Sequence, residues 1–117
     1  MNKAASLGKQ GEDAAADYLK SKGYKILCRN YRCRIGEIDI IASKTSELFF
    51  VEVKTRRSLT YGNPADAVTR QKQGKIRTTA LQFLQEQDCA FKSINFDVIE
   101  IFVNGDKMQI NHIQQCF

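Results

Sequence analysis

No apolar run in the chain approaches the ~20 residues needed to span a bilayer. The opening residues, MNKAASLGKQGED, hold no signal-peptide h-region. Neither a membrane protein nor an exported one is expected, and the cytoplasm is the compartment the sequence suggests. A CxxC knuckle is missing too. Cys28 and Cys33 are separated by four residues and His112 stands four before Cys116, spacings that do not suit a structural zinc site. In a reducing compartment Cys28, Cys33, Cys89 and Cys116 are expected as thiols. The only histidine, His112, falls in the last strand, remote in sequence from the acids of the central strands, and no general-base role is assigned to it. Repeats, low-complexity tracts and an interdomain linker are all lacking. The 117 residues read as one domain, 1–117, of a size that buries about two-thirds of its unfolded surface. With 43% hydrophobic and 26% charged residues, the composition is that of a globular chain and not a disordered one.

Acid is scarce where base is dense. From Tyr18 to Gly36 there are six basic residues (Lys20, Lys22, Lys25, Arg29, Arg32, Arg34) and no acid. From Lys54 to Arg77 there are seven (Lys54, Arg56, Arg57, Arg70, Lys72, Lys75, Arg77) against Asp66 alone. A merely solvated surface interleaves the two signs. Segregation, with a net charge of +5, suggests a positive field suited to a phosphate backbone. Basic loops that only aid solubility are the blander reading.

The order of elements follows from periodicity and punctuation. Ser6 is a plausible N-cap, and LGKQGEDAAADYLKSK follows at helical period, with Gly8, Gly11, Ala15, Tyr18 and Leu19 on one stripe and Gly23 as the stop. YKILCRNY (24–31), GEIDIIAS and LFFVEVKT read as strands. RRSLTYGN is a loop; Asn63-Pro64 opens a helical stretch, Thr69 restarts it, and the main second helix runs to about Gln87. SINFDVIEIF is a fourth strand, Asn104-Gly105 a hairpin turn, and KMQINHI a fifth strand. The expected fold is α/β, a mixed five-stranded sheet flanked by helices in the order α-β-β-β-α-β-β.

Two of these strands carry acids among core residues. With Thr45-Ser46 as a two-residue turn, Lys44 faces Glu47, and the count outward pairs Ala42 with Phe49, Ile40 with Val51 and Ile38 with Val53. Those residues share one apolar face. The other face pairs Ile41 with Phe50, Asp39 with Glu52, and Glu37 with Lys54. A slip of one residue would set acids against core, so this register is favoured. It places two carboxylates opposite each other, with Cβ atoms ~5 Å apart. Like charges so placed destabilise a sheet, and a divalent cation between them removes the conflict. Mg²⁺ takes one or two carboxylates and completes its shell with water and phosphate oxygens. Lys54, on the same face, would hold the attacking water or offset charge developing on phosphorus, and the Val53 backbone carbonyl is a natural extra ligand. The alternative is a half-exposed face with Glu37–Lys54 as an ordinary ion pair, but Ile41 and Phe50 on that face argue against simple solvation. Glu12 borders the apolar stripe of the first helix. It either reaches the metal, directly or through water, or is a surface glutamate favourable to the helix dipole. Gly8 and Gly11 each cost a helix roughly 1 kcal/mol relative to Ala, which makes sense if this helix lies very close to the sheet or a ligand.

Asp39 followed thirteen residues later by Glu52-Val53-Lys54 resembles the D…(D/E)xK core of the PD-(D/E)XK nuclease superfamily. GKQGEDAAADYL, RNYRCRIGEIDIIA, LFFVEVKTR, KQGKIRTTALQFL and FDVIEI are similar to the bacterial YraN-type predicted endonuclease family, which is related to archaeal Holliday-junction resolvases. The resemblance covers nearly the whole chain. It implies a restriction-endonuclease-like fold, a catalytic set of Glu12, Asp39, Glu52 and Lys54, and Mg²⁺ or Mn²⁺ as cofactor. Ile38 stands where the superfamily name has proline. Asp97 also matches the family pattern but is read as structural, since nothing in its spacing supplies a partner.

Arg32, Arg34, Arg56, Arg57, Arg70, Lys72 and Lys75 are assigned as phosphate contacts that position DNA without reading its sequence. A solvated helix face is the alternative for the lysines. Tyr31, Phe50 and Tyr61 would stack on unpaired bases, although aromatics in strands are more often core. The function expected is metal-dependent hydrolysis of DNA phosphodiesters, on branched or otherwise structured DNA in repair or recombination, with no small-molecule cofactor. A non-catalytic nucleic-acid-binding or protein-interaction module that retains the fold is the rival. A homodimer would be needed to cut a junction symmetrically, and the sequence shows no decisive dimer patch.

Overall fold

The computed structural model describes residues 3–57, 68–87 and 90–117, with side chains from residue 7 onward. Helix α1 (Lys3–Ser21) leads into strands β1 (Lys25–Arg32), β2 (Glu37–Lys44) and β3 (Glu47–Arg56); helix α2 (Arg70–Gln85) connects to β4 (Ser93–Asn104) and β5 (Lys107–Ile113). This is the expected mixed α/β architecture. The sheet runs in chain order, β1-β2-β3-β4-β5. β3 and β4 are parallel and the other neighbours antiparallel, because the α2 crossover returns the chain to the same end of the sheet. Among the described residues no helix is long and apolar enough to cross a membrane.

Local signals account for most boundaries. α1 starts at Lys3, so Ser6 lies inside the helix and is not its cap. At the other end Gly23 adopts φ +92°, and the N–H groups of Tyr24 and Gly23 donate to the carbonyls of Leu19 and Lys20, both at 3.0 Å. That is a Schellman closure with Tyr24 and Leu19 in apolar contact. Thr69 caps α2, its hydroxyl accepting the Lys72 N–H at 3.2 Å. Thr45 and Ser46 take φ of 52° and 66° and close the β2–β3 hairpin with Lys44 opposite Glu47. Asn104 pairs with Lys107, so the second hairpin turns on Gly105 (φ 62°) and Asp106, one residue later than expected. Arg56 ends β3 and does not open a loop. Ser58 to Asn63, the Asn63-Pro64 helix start and Tyr61 lie outside the described residues.

Both sheet faces are covered. On the α1 side Ala15, Ala16 and Leu19 pack on Ile40, Ala42, Phe49, Val51, Ile99 and Ile101. On the α2 side Ile76, Ala80 and Phe83 pack on Ile38, Ile41, Leu48, Phe50 and Val98. Gly11 brings α1 hard against β3, where a Cβ would lie 1.8 Å from Thr55 Oγ1; a Cβ on Gly8 would meet nothing within 4 Å. Close approach explains one glycine of the pair, not both. Ile38 departs from expectation: it joins the α2-side core and not the face of Ile40. Alternation on β2 breaks between Ile38 and Ile40, at Asp39. Cys28, Cys33 and Cys116 are free thiols; Cys89 lies outside the described residues.

Candidate active site

The β2–β3 ladder follows the expected register from Lys44–Glu47 to Ile40–Val51 and then stops. Beyond that point Asp39 Oδ2 accepts the backbone N–H of Val53 at 2.8 Å, a donor that a continued ladder would have given to the β2 backbone. Asp39 and Glu52 are therefore not a ladder pair, as the hairpin count had them. They flank a gap that a side chain has opened in the sheet. Glu37 is not paired with Lys54 either, since Arg32 Nε lies 2.7 Å from Glu37 Oε2.

Two clefts meet at Asp39. One, of about 490 Å³, lies under the start of α2 and is lined by Glu37, Asp39, Glu52, Lys72 and Lys75. The other, of about 330 Å³, lies beside α1 and is lined by Gly8, Glu12, Asp39, Val53 and Lys54. The structure thus brings Asp39 and Glu52 together on the α2 side, and Asp39, Glu12 and Lys54 together on the α1 side. Lys54 is exposed and does not line the cleft that holds Glu52.

Electrostatically the site is short of positive charge. Burial raises the carboxyl pKa of Asp39, opposed by the Val53 N–H and reinforced by Glu37. Burial also raises Glu52, with Asp39 adding to it and Lys72 opposing. Glu12 is raised by burial and then by Asp39, and its Oε1 is enclosed with no hydrogen-bond partner. Lys72 Nζ stands 2.6 Å from Glu52 Oε1. An enclosed carboxylate oxygen without a donor, beside acids that resist ionisation, is an arrangement that a bound cation would stabilise. The hard oxygen donors suit Mg²⁺ or Mn²⁺. Among the described residues no three His, Cys, Asp or Glu side chains cluster closely enough to hold a metal by themselves, so such an ion would rely on one or two carboxylates, backbone and water.

The basic residues sort into two groups. Arg34, Arg57, Arg70 and Lys75 are exposed. Arg32, Arg56 and Lys72 are engaged by Glu37, Glu100 and Glu52 respectively. Phe50 is fully buried and so not presented for base stacking, and the half-buried Tyr31 donates its hydroxyl to Glu86.

Three interactions escaped sequence reasoning. Lys72 reaching Glu52 had a signal: Arg70 and Lys72 occupy the first turn of α2, which has no acid and where the helix dipole disfavours cations. Glu100, 2% exposed, lies beside Arg56, with 3.3 Å between Oε2 and Nε. Asp97, 1% exposed, has the partner its spacing did not reveal: His112 Nε2 at 2.8 Å, with Tyr18 Oη 3.3 Å from Nδ1. Neither strand acid had a local sequence signal, because each partner lies on another element.

Fold and site define a mixed α/β protein with a carboxylate cleft opened between its two central antiparallel strands. The chain belongs to the family described as uncharacterised protein family UPF0102, whose profile matches residues 11–101. A UPF0102 protein of Syntrophomonas wolfei is 47% identical over 111 residues, covering 95% of this chain and 96% of the relative. One from Caldicellulosiruptor saccharolyticus is 44% identical over the full length of both. A third, from Rhodococcus opacus, is 47% identical over 96% of each chain.

Proposed function

We propose that this chain is a Mg²⁺- or Mn²⁺-dependent endonuclease that hydrolyses DNA phosphodiesters, with branched or flapped DNA preferred over a matched linear duplex. The observation that carries the reading is the gap at Asp39, where two acids line one cleft with Lys72 and Lys75 and a third acid shares Asp39 with Lys54 on the other side. The resemblance to the PD-(D/E)XK nucleases rests on these same positions. Asp39 and Glu52 would hold the metal, with Glu12 directly or through water. The Val53 carbonyl would join them, since a strand residue's N–H and C=O point to the same neighbour and the N–H already points to Asp39. A metal held there would supply Lewis-acid chemistry, polarising a phosphoryl oxygen and lowering the pKa of water. Lys54 orients the attacking water or offsets the charge on the phosphorus oxygens. Lys75, Arg34, Arg57 and Arg70 take backbone phosphates, and Lys72 joins them once it leaves Glu52. Contacts of this kind to phosphates read backbone shape and not groove sequence. Symmetric cutting of a four-way junction would need a two-fold dimer.

The Lys72–Glu52 ion pair favours a second reading, a nucleic-acid-binding module without turnover, because it neutralises Glu52 with no metal at all. A cleavage panel of linear, flapped, single-stranded and four-way DNA with Mg²⁺ or Mn²⁺ separates the two. Metal-dependent cutting that disappears in Asp39→Ala supports the nuclease. Binding without cutting on every substrate leaves the module.

A further inference from the structure

We propose that Lys72 is a tethered cation: it neutralises the carboxylate cleft while no divalent ion is bound, and moves to a DNA phosphate when the metal takes its place on Glu52. This deepens the nuclease reading and rests on it. Helix α2 is wrongly charged for its own stability. Arg70 and Lys72 sit in the first turn of α2 without a compensating acid, at the positive end of the dipole. Lys72 finds its favourable partner on the sheet, with its ammonium 2.6 Å from Glu52 Oε1.

The two partners differ in freedom. The Glu52 side chain is 12% exposed and the Lys72 side chain 48%. The acid is fixed in the sheet, whereas the ammonium has open solvent on its far side. Thr69 anchors the Lys72 backbone through the helix cap, so the four-carbon stem swings from a fixed point. A lysine suits such motion, being a flexible point charge without the two-pronged fork of arginine.

A metal that takes Glu52 Oε1 displaces the ammonium by direct competition, and the repulsion between the two cations drives Lys72 outward. Lys75, one turn further along α2, lines the same cleft, so the displaced ammonium and Lys75 can share one phosphate. The linkage is reciprocal: DNA that draws Lys72 away uncovers Glu52 for the metal, and metal that frees Lys72 strengthens DNA binding.

The test is Mn²⁺ affinity by calorimetry, without DNA, on the full chain and its Lys72→Met, Lys72→Arg and Lys75→Met variants. Removing a charge-assisted contact of this kind should tighten Mn²⁺ binding roughly tenfold in Lys72→Met. The arginine fork grips a carboxylate more firmly, so Lys72→Arg should bind Mn²⁺ more weakly than wild type. Lys75→Met reports the general loss of one positive charge from the cleft, and Lys72→Met must exceed it. An Mn²⁺ affinity in Lys72→Met no greater than in Lys75→Met, or an unchanged affinity in Lys72→Arg, overturns the tether while leaving the metal site intact. Binding seen in Lys72→Met alone supports the tether in its strongest form. No binding in any variant removes the metal reading and the tether together.

Discussion

Asp39 Oδ2 accepts the Val53 N–H at 2.8 Å, and at that bond the β2–β3 ladder ends. One side chain stands where a continued ladder would have supplied a backbone acceptor. At the same carboxylate two clefts meet, and in one of them Lys72 reaches Glu52.

The acid cluster predicts a metal- and pH-dependent stability. Asp39, Glu52 and Glu12 all have raised carboxyl pKa values, with burial as the first cause. The folded chain therefore holds protons that the unfolded chain releases. Without metal, stability from these groups is present below the ordinary carboxylate pKa and is lost as pH rises through the raised values. Mg²⁺ or Mn²⁺ needs the ionised acids, so its affinity should increase over the same interval. At a hundred times its Kd it should add about 2.7 kcal/mol. Asp39→Asn should melt higher than wild type without metal, since it removes a buried charge, and lose the metal response. Melting curves from pH 4 to 8, with and without millimolar Mg²⁺, check both; a wild type indifferent to metal removes the site.

Gly8 and Gly11 should respond oppositely to alanine. At Gly11 the new methyl collides with Thr55 Oγ1 and Cβ, and overpacking at such a contact costs about 1–3 kcal/mol. At Gly8 the space is open, so Gly8→Ala should stabilise α1 by up to about 1 kcal/mol. Urea unfolding of the two variants decides it, and the pair fails if both destabilise equally.

His112→Ala should be among the more damaging substitutions outside the clefts. It leaves Asp97, 1% exposed, with only the Gln115 N–H at 2.9 Å of its two observed hydrogen-bond partners. A loss of about 2 kcal/mol is expected, with cleavage retained by whatever fraction stays folded. Cleavage abolished in a fully folded His112→Ala protein would instead give the histidine a catalytic role.

The sequence gives Arg56 and Lys75 the same expected task, and their surroundings differ. Arg56→Ala deprives the buried Glu100 of its ion-pair partner and should cost about 2 kcal/mol of stability. Lys75→Ala should leave melting unchanged and weaken DNA binding, lowering the salt slope by about one unit. Binding of four-way DNA across a salt series measures the difference. A slope unchanged in Lys75→Ala would take that lysine out of the interface.

Much of the architecture was settled by the chain's own periodicity. Alternation in residues 40–51 determined the hairpin register, because any slip would bury acids and expose the core. Gly23, Thr69 and Gly105 marked ends and turns through backbone preferences that act within a few residues. The acids Asp39 and Glu52 also stood out, as charges where that alternation called for apolar side chains. Tertiary structure alone decided what those charges do. The Asp39–Val53 bond replaces ladder geometry that a pattern can only extrapolate, and Ile38 changes face beside it. Lys72 reaches Glu52, Arg56 reaches Glu100 and His112 reaches Asp97 across elements whose separation in sequence carries no information about distance. Local patterning records which residues must leave water; the pairing of the polar ones depends on how helices and strands cross, and that exists only once the sheet has closed.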